Sequence, residues 1–307
     1  MVKPEDSISN NASISAQDST QDSAQADEWR TWYNDFDKNF GPEERMRWYS
    51  QAAKAYRWAR PCYPDALIDD VIQQAGLKAG ESVLEMGCGP GIATEAFARR
   101  GFAMQCVEPS PAACELARQT CADYADVVVT NSTFEDFPLA GRQFDAVLAA
   151  TSFHWVSPAI ACKKSADALK PGGSLILLWA TPPQPSEVLS SYLQPIYEKY
   201  QLADKIRYQL RYQAYYQENF EKFVRVLGDS GYFAYTSVDI AQHHSTYSIE
   251  KYIALRSTLS DYIALPSETQ QQLLTELAAR LADRCGDEPL LLTHWFAAQA
   301  APLIADA

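Results

Sequence analysis

Residues 85–91 read EMGCGPG and combine one acidic residue, Glu85, with three alternating glycines. The apolar run before them is typical of a buried strand, and the residues after them favour a helix. Glycine lacks a Cβ, so a ligand can come close to the backbone, and the start of the helix offers free N–H donors. The segment therefore predicts a small-molecule site at a glycine-rich turn between a strand and a helix.

The spacing of these glycines differs from that of a dinucleotide-binding turn. The pattern G-x-G-x-x-G would place its third glycine at position 92, where this chain has Ile92. The carboxylate of Glu85 at the strand end suits a ligand with an amine and disfavours a pyrophosphate. A nicotinamide-dependent oxidoreductase is therefore an alternative that these residues disfavour.

A second acidic residue, Glu108, ends the next predicted strand and is followed by Pro109 and Ser110. A carboxylate at this point can accept hydrogen bonds from both ribose hydroxyls of an adenosine. A solvated strand end is the alternative for Glu108 alone, but the glycine turn favours the ribose role. The two features together predict a ribose-bearing cofactor at the carboxyl edge of a sheet.

The elements that would hold these residues alternate along the chain. Strands are predicted at 82–86, 103–108, 126–130, 144–150 and 174–179, with further strands within 233–247 and near 289–297. Helices are predicted at 92–100, 111–122, 157–169, 248–258 and 267–284. Apolar strands separated by helices predict a Rossmann-like α/β fold, with a doubly wound, seven-stranded, mostly parallel sheet and helical cap elements.

The N-terminal segment differs in composition from the rest of the chain. Residues 1–27 are rich in Ser, Asp, Gln, Asn and Ala, which predicts a disordered tail because little apolar surface is available to offset the entropy of ordering. Residues 28–307 are predicted to form a single domain. Its N-terminal helices would cover 28–75, and an inserted, tyrosine-rich cap would cover about 185–230.

Composition limits the classes of partner. The net charge of -13 and the pI of about 4.8 disfavour nucleic acid and anionic membranes as partners. Seven cysteines without a CxxC pair predict reduced thiols, and the acidic start of the chain is unlike a secretory signal. We therefore expect a cytoplasmic protein that acts on a small molecule. His243-His244 has no further ligand at suitable spacing, so no metal site is predicted.

Three motifs carry a resemblance to a known family. Glu85-x-Gly87-x-Gly89-x-Gly91, with Glu108-Pro109-Ser110, resembles the class I S-adenosylmethionine-dependent methyltransferases. The segment at 170–173, KPGG, matches the turn that these enzymes carry before the fifth strand. The resemblance spans about residues 45–300.

Four shorter motifs are similar to the methyltransferase type 11 subgroup that includes trans-aconitate methyltransferase-like proteins. They are Tyr56-x-x-x-Arg60-Pro61-x-Tyr63-Pro64, Phe153-His154-Trp155, Trp179 at the end of strand five, and Tyr252-Ile253-x-x-x-Arg256-Ser257. These motifs leave the methyl acceptor open, with a carboxylate or a hydroxyl as candidates.

The resemblance implies S-adenosylmethionine as cofactor and assigns its contacts. They are Glu85, Gly87, Cys88, Gly89, Gly91, Glu108, Pro109, Thr133, Phe134, Ala150 and Thr151. Glu85 and the glycine turn would hold the methionine part, and Glu108 the ribose. Thr133 and Phe134 would flank the adenine, where many relatives carry Asp-Ala; Thr is the weaker acceptor. Ala150 and Thr151 would offer backbone groups near the sulfonium.

The remaining candidates belong to the methyl acceptor. Methyl transfer is an in-line displacement, so the protein mainly aligns and desolvates the acceptor. His154 is the candidate base if the acceptor must lose a proton, with a structural histidine as the alternative. An aromatic wall that shields the sulfonium is predicted from Tyr56, Tyr63, Trp155 and Trp179, with ordinary packing as the alternative.

Arg60 is predicted to pair with a carboxylate of cofactor or substrate, and a surface arginine is its alternative. The sequence thus predicts an S-adenosylmethionine-dependent methyltransferase with a small-molecule acceptor. A protein that binds the cofactor without transferring its methyl group is the second alternative.

Overall fold

The computed structural model describes residues 42–203 and 213–305. The predicted tail at 1–27, the aromatic-rich segment that follows it and part of the predicted cap lie outside these ranges. Within the described ranges, no helix is both long enough and apolar enough to cross a membrane.

Seven strands and ten α-helices occupy the described ranges. The strands are β1 (Ser82–Met86), β2 (Ala103–Glu108), β3 (Val127–Asn131), β4 (Phe144–Ala150), β5 (Leu169–Ala180), β6 (Asp239–Tyr247) and β7 (Leu290–Pro302). The first five helices are α1 (Pro42–Ala59), α2 (Asp65–Gln74), α3 (Ile92–Ala98), α4 (Pro111–Thr120) and α5 (Pro158–Ala168). The others are α6 (Glu187–Lys199), α7 (Gln213–Asp229), α8 (Ile249–Ser257), α9 (Ser260–Ile263) and α10 (Ser267–Cys285). A short 3₁₀ helix covers Phe153–Trp155.

The strands form one sheet in the order β3-β2-β1-β4-β5-β7-β6. The pairs from β3 to β5 are parallel, whereas β7 runs antiparallel to both β5 and β6. The predicted fold class, a seven-stranded, mostly parallel Rossmann-like sheet, is confirmed. The strand order reverses between β1 and β4, and open α/β sheets bind ligands at the carboxyl ends of strands at such a point.

Two apolar clusters hold the elements together. The first joins the sheet to α2 and α3, with Ile68, Phe97 and Ile176 fully buried in it. The second joins α6, α8 and α10 through residues such as Leu193 and Leu277. The first cluster lies directly beneath the glycine turn and therefore fixes the position of that turn.

The segment at 170–173 forms a bulge within β5, where the sequence predicted a turn before the strand. Phe144 pairs with Leu169 and Ala146 with Ser174, so the register shifts across the bulge. A Cβ on Gly173 would lie 2.8 Å from the backbone oxygen of Asp145, and only glycine fits there. The strand consequently starts at Leu169, five residues earlier than predicted.

Candidate functional site

One cavity opens at the carboxyl ends of β1, β2 and β4 and encloses about 1360 Å³ of empty space, including its open mouth. The cavity therefore lies at the edge of the sheet where open α/β folds bind their ligands. The predicted site residues that line it are Tyr56, Arg60, Tyr63, Glu85, Gly87, Cys88, Gly89, Glu108, Pro109, Thr133, Phe134, Ala150, Thr151 and Trp155. Three other predicted residues, Gly91, His154 and Trp179, are not part of its lining.

Two glycines of the turn answer different steric demands. Gly87 has a φ of +66°, and a Cβ on it would lie 2.9 Å from the Cβ of Ser152. Gly89 has a φ of +53°, and a Cβ there would meet no atom within 4 Å. Gly87 thus permits close packing of two chain segments, whereas Gly89 supplies a left-handed backbone beside open space.

Gly91 serves helix packing. Its φ is +87°, and it immediately precedes α3. A Cβ at this position would lie 3.2 Å from the Cα of Ala117 in α4. The third glycine of the motif therefore brings two helices together below the turn, and a cofactor contact from it stays a prediction.

Glu85 is fully buried at the end of β1. Its Oε2 accepts a hydrogen bond from Thr94 Oγ1 at 2.5 Å, while its Oε1 has no partner in the described chain. Burial raises the pKa of Glu85 to about 7, although the hydrogen bonds from Thr94 and Cys106 lower it. A buried carboxylate oxygen at a cavity wall suits a ligand amine, which would supply the missing donor.

Thr94 was missed in the sequence, although its position gives a signal. It stands in the first turn of α3 among small apolar residues and is itself fully buried. A buried hydroxyl there needs a partner, and Oε2 of Glu85 supplies it.

Glu108 ends β2 and is only 6% exposed. Oε1 accepts from the backbone N–H of Ser110 at 2.8 Å, and Oε2 accepts from that of Gly89 at 3.0 Å. Burial raises the pKa of Glu108 to about 6 despite these two bonds, which lower it. Each oxygen keeps a second lone pair, so the carboxylate is fixed in orientation and can still accept two ligand hydroxyls.

The side chains of Thr133 and Phe134 have different surroundings. Thr133 Oγ1 donates to Asp136 Oδ2 at 2.7 Å and accepts from the Asp136 backbone N–H at 3.1 Å. The hydroxyl is therefore used within its own turn. Phe134 is 3% exposed and lines the cavity, where it offers an apolar surface.

The opposite wall is built around the end of β4. Thr151 has a φ of +55°, and its Oγ1 lies 2.8 Å from the hydroxyl of Tyr63. Ser152 follows and donates from its hydroxyl to the backbone oxygen of Met86, which ties the end of β4 to the end of β1. Ser152 also lines the cavity, although its sequence context gave no signal for this role.

Arg60 lies over the ring of Tyr56, with its guanidinium carbon 4.8 Å from the ring centroid. Its Nε donates to Thr258 Oγ1 at 3.0 Å and one terminal nitrogen donates to the Thr258 carbonyl at 3.1 Å. The arginine thus joins the cavity wall to the end of α8. Since guanidinium has five N–H donors, others can serve a ligand carboxylate.

Trp179 and His154 belong to a neighbouring aromatic cluster. Trp179 stacks on Phe223 of α7, with ring centroids 4.2 Å apart. The ring centroid of His154 lies 5.6 Å from that of Trp179. Side chains alternate along a strand, so Trp179 points away from the face on which its neighbours Leu178 and Ala180 join the first core cluster. Only Trp155, 4.9 Å from His154, reaches the cavity from this group.

Comparisons with known proteins agree with this geometry. Residues 84–177 match the sequence family described as methyltransferase domain. Over 133 residues the chain is 36% identical to an uncharacterized methyltransferase of Mycobacterium tuberculosis, covering 43% of this chain and 52% of that protein. Over 129 residues it is 32% identical to the demethylmenaquinone methyltransferase of Tropheryma whipplei, covering 41% and 50%. The chain therefore spans about half the length of these curated relatives.

A solved structure from Anaeromyxobacter dehalogenans, assigned as a type II methyltransferase, shares the fold. Its TM-score is 0.56 at 20% sequence identity, over 79% of this chain and 97% of that one. The segment that matches the family runs from β1 into β5 and contains Glu85, the glycine turn and Glu108. Residues 84–177 are therefore similar to a methyltransferase domain, and the described chain has a Rossmann-like fold.

Proposed function

We propose that this protein is an S-adenosylmethionine-dependent methyltransferase that acts on a small-molecule acceptor. The observation that carries the proposal is the pair of buried carboxylates, Glu85 and Glu108, on either side of the glycine turn in one cavity. Glu85 keeps an oxygen without a partner, and Glu108 is oriented by two backbone N–H groups. The first suits an amine and the second a ribose, which are two parts of this cofactor.

The cofactor supplies a methyl group already activated on a positive sulfur. In our assignment, Glu85 binds the amine of its methionine part and Glu108 binds the ribose hydroxyls. Phe134 would hold the adenine, and the backbone of Ala150 and Thr151 would contact the part of the cofactor that carries the sulfonium. The chain's own contribution is to fix this orientation and to exclude water from the reacting atoms.

The acceptor would lie against Tyr56, Tyr63 and Trp155. Their rings provide an apolar wall, and Arg60 supplies a positive charge at its edge. A small acceptor that bears a carboxylate or a hydroxyl fits this combination of apolar wall and positive charge. The resemblance of residues 56–64 to the trans-aconitate methyltransferase-like subgroup supports the same class of acceptor. We assign the reaction to the cytoplasm, without nucleic acid or membrane as partner, because the net charge of -13 disfavours both.

No side chain in this lining is assigned as a general base. Burial raises the pKa of Tyr63 well above its usual range, so its phenol stays protonated. His154 packs on Trp155 and Trp179 and does not line the cavity. An acceptor that is already ionised, such as a carboxylate, needs no base, and this favours the carboxylate among the two candidates.

The proposal is tested in two stages. Calorimetric titration with S-adenosylmethionine, S-adenosylhomocysteine and NAD identifies the cofactor; binding of NAD alone would support the oxidoreductase alternative. Incubation with methyl-labelled S-adenosylmethionine and a small-molecule cell extract then detects transfer by mass spectrometry. Cofactor binding without a labelled product across fractionated extracts would favour a binding protein without transferase activity.

A further inference from the structure

Two hydroxyl groups from distant parts of the chain meet at the cavity wall. Tyr63 lies between α1 and α2, Thr151 follows β4, and their hydroxyl oxygens are 2.8 Å apart. Both residues line the cavity, and Tyr63 is only 8% exposed. The Thr151 backbone is held by its N–H bond to the Leu178 carbonyl at 2.7 Å. A β-branched residue rarely adopts its φ of +55°, so the surrounding bonds fix the direction of this hydroxyl.

Counting protons shows what the pair has left to offer. Thr151 Oγ1 accepts a hydrogen bond from the Ala180 backbone N–H at 3.1 Å. One hydroxyl proton lies between Thr151 and Tyr63, whichever of the two donates. Each hydroxyl carries one proton, so the second proton has no acceptor among the described residues. The pair therefore keeps one O–H donor at the wall of the cavity.

We propose that the Tyr63–Thr151 pair is a ligand subsite that donates a single hydrogen bond to an oxygen atom of the bound ligand. The inference rests on the proposed function, because it takes the cavity as the place where cofactor and acceptor meet. The raised pKa of Tyr63 agrees with this role, since a protonated phenol donates a hydrogen bond and does not remove a proton.

The chemistry of the subsite selects an acceptor-only oxygen, and a carboxylate oxygen fits it best. Arg60 lines the same cavity and adds positive charge. Two ligands could supply such an oxygen: the methionine part of the cofactor and the methyl acceptor. The two sources differ in a way that binding measurements can separate, because 5′-methylthioadenosine lacks the amino-acid part of the cofactor.

The experiment compares five variants with the parent protein. Tyr63→Phe and Thr151→Val each remove one hydroxyl, and the double variant removes the donor altogether. Thr151→Ser keeps the hydroxyl and tests for rescue. Tyr247→Phe is the matched control, because the buried hydroxyl of Tyr247 donates to the Ala59 carbonyl at 2.7 Å and does not line the cavity. Melting curves identify any variant that fails to fold.

Each protein is titrated with S-adenosylhomocysteine and with 5′-methylthioadenosine, and then assayed for labelled methyl transfer into cell extract. If the cofactor supplies the oxygen, the double variant binds S-adenosylhomocysteine about tenfold or more weakly and binds 5′-methylthioadenosine normally, as expected for a hydrogen bond to a charged group. If the methyl acceptor supplies it, both affinities hold and labelled product falls about tenfold. In either case Tyr247→Phe behaves like the parent, and Thr151→Ser, which keeps the hydroxyl, loses less than Thr151→Val.

The inference is overturned if the folded double variant matches the parent in all three measurements. Equal weakening towards both nucleosides would also overturn it, because the damage would then be general to the cavity. Failure of the proposed function gives a different result: the parent itself would bind neither nucleoside, and both proposals would fall together.

Discussion

The two walls of the cavity are built by different means. The wall at β1 and β2 is made of residues close in sequence: Glu85 and Glu108 lie at the ends of adjacent strands, and backbone N–H groups orient the second carboxylate. The opposite wall depends on pairs that are distant in sequence: Tyr63 and Thr151 are 88 positions apart, and Arg60 and Thr258 are 198 positions apart.

The difference concerns how each wall can change. A strand-turn-helix unit fixes the wall at β1 and β2, so a substitution there alters either the glycine turn or a buried carboxylate. The opposite wall consists of side chains that come from several elements. Each of these side chains can be replaced without breaking the sheet. We therefore expect cofactor affinity to depend more steeply on the first wall than on the second, and the following predictions rank variants by that effect.

The largest effect is expected from Gly89→Val, which should abolish measurable binding of S-adenosylhomocysteine. The Cβ at this position points into open space beside the turn, where branched methyl groups would occupy ligand volume. Gly76→Val is the matched control, because Gly76 also has a positive φ, +67°, and no atom within 4 Å of its Cβ. Both variants carry similar backbone strain, so calorimetry on the two folded proteins isolates the steric effect. Equal affinities in the two would remove the glycine turn from the cofactor site.

Glu108→Ala should weaken cofactor binding by about 1.5–3 kcal/mol, the scale of hydrogen bonds to a charged group. The carboxylate also anchors Gly89 N–H, so part of the loss would come from a looser turn. Glu108→Gln keeps one oxygen for that anchor and should lose less. Calorimetry measures both affinities, and an unchanged affinity in folded Glu108→Ala would show that the ribose is bound elsewhere.

Cofactor affinity should rise with pH between about 6 and 8, because Glu85 must be ionised to pair with a ligand amine and its pKa is about 7. The apoprotein should respond in the opposite direction. The folded pKa of Glu85 is raised above its ordinary value of 4.5, so its contribution to stability is present below about pH 4.5 and is lost as pH rises through about 7.

Glu85→Gln cannot ionise and provides the comparison for both effects. Its affinity should vary less with pH than that of the parent, and its melting temperature should gain on the parent as pH rises from 5 to 8. Titrations and melting curves at three pH values test this. Parallel pH profiles for the two proteins would show that another group controls both properties.

The difference between the two walls also explains which site residues the sequence could predict. The strands β1, β2 and β4 were placed with their exact ends, and the fold class followed from their alternation with helices. Local spacing predicted that Glu85, Glu108 and Gly89 lie together, and all three line the cavity. The hydroxyl pair of Tyr63 and Thr151 could not be found in this way, since it exists only when the segment before α2 folds over β4.

Trp179 lies on the face of β5 that strand alternation predicts, away from the cavity. The motif likeness placed it in the aromatic wall, although strand alternation puts it on the face opposite Leu178 and Ala180. Thr94 gave only a partial signal: its place in the first turn of α3 was visible in the sequence, but its hydrogen bond to Glu85 follows only from the packing of α3 on the sheet.

The smallest effect on cofactor affinity is expected from Trp179→Leu. Trp179 is 7% exposed and packs against Phe223 and Phe220 of α7, so the substitution should lower the melting temperature by opening space in that cluster. Affinity for S-adenosylhomocysteine should stay within about twofold of the parent, because the indole does not line the cavity. Trp155→Leu is the matched variant from the same cluster, and it should lower labelled methyl transfer while Trp179→Leu, assayed below its melting range, leaves it unchanged. Equal loss of transfer in the two variants would show that Trp179 also acts on the acceptor and is not a packing residue alone.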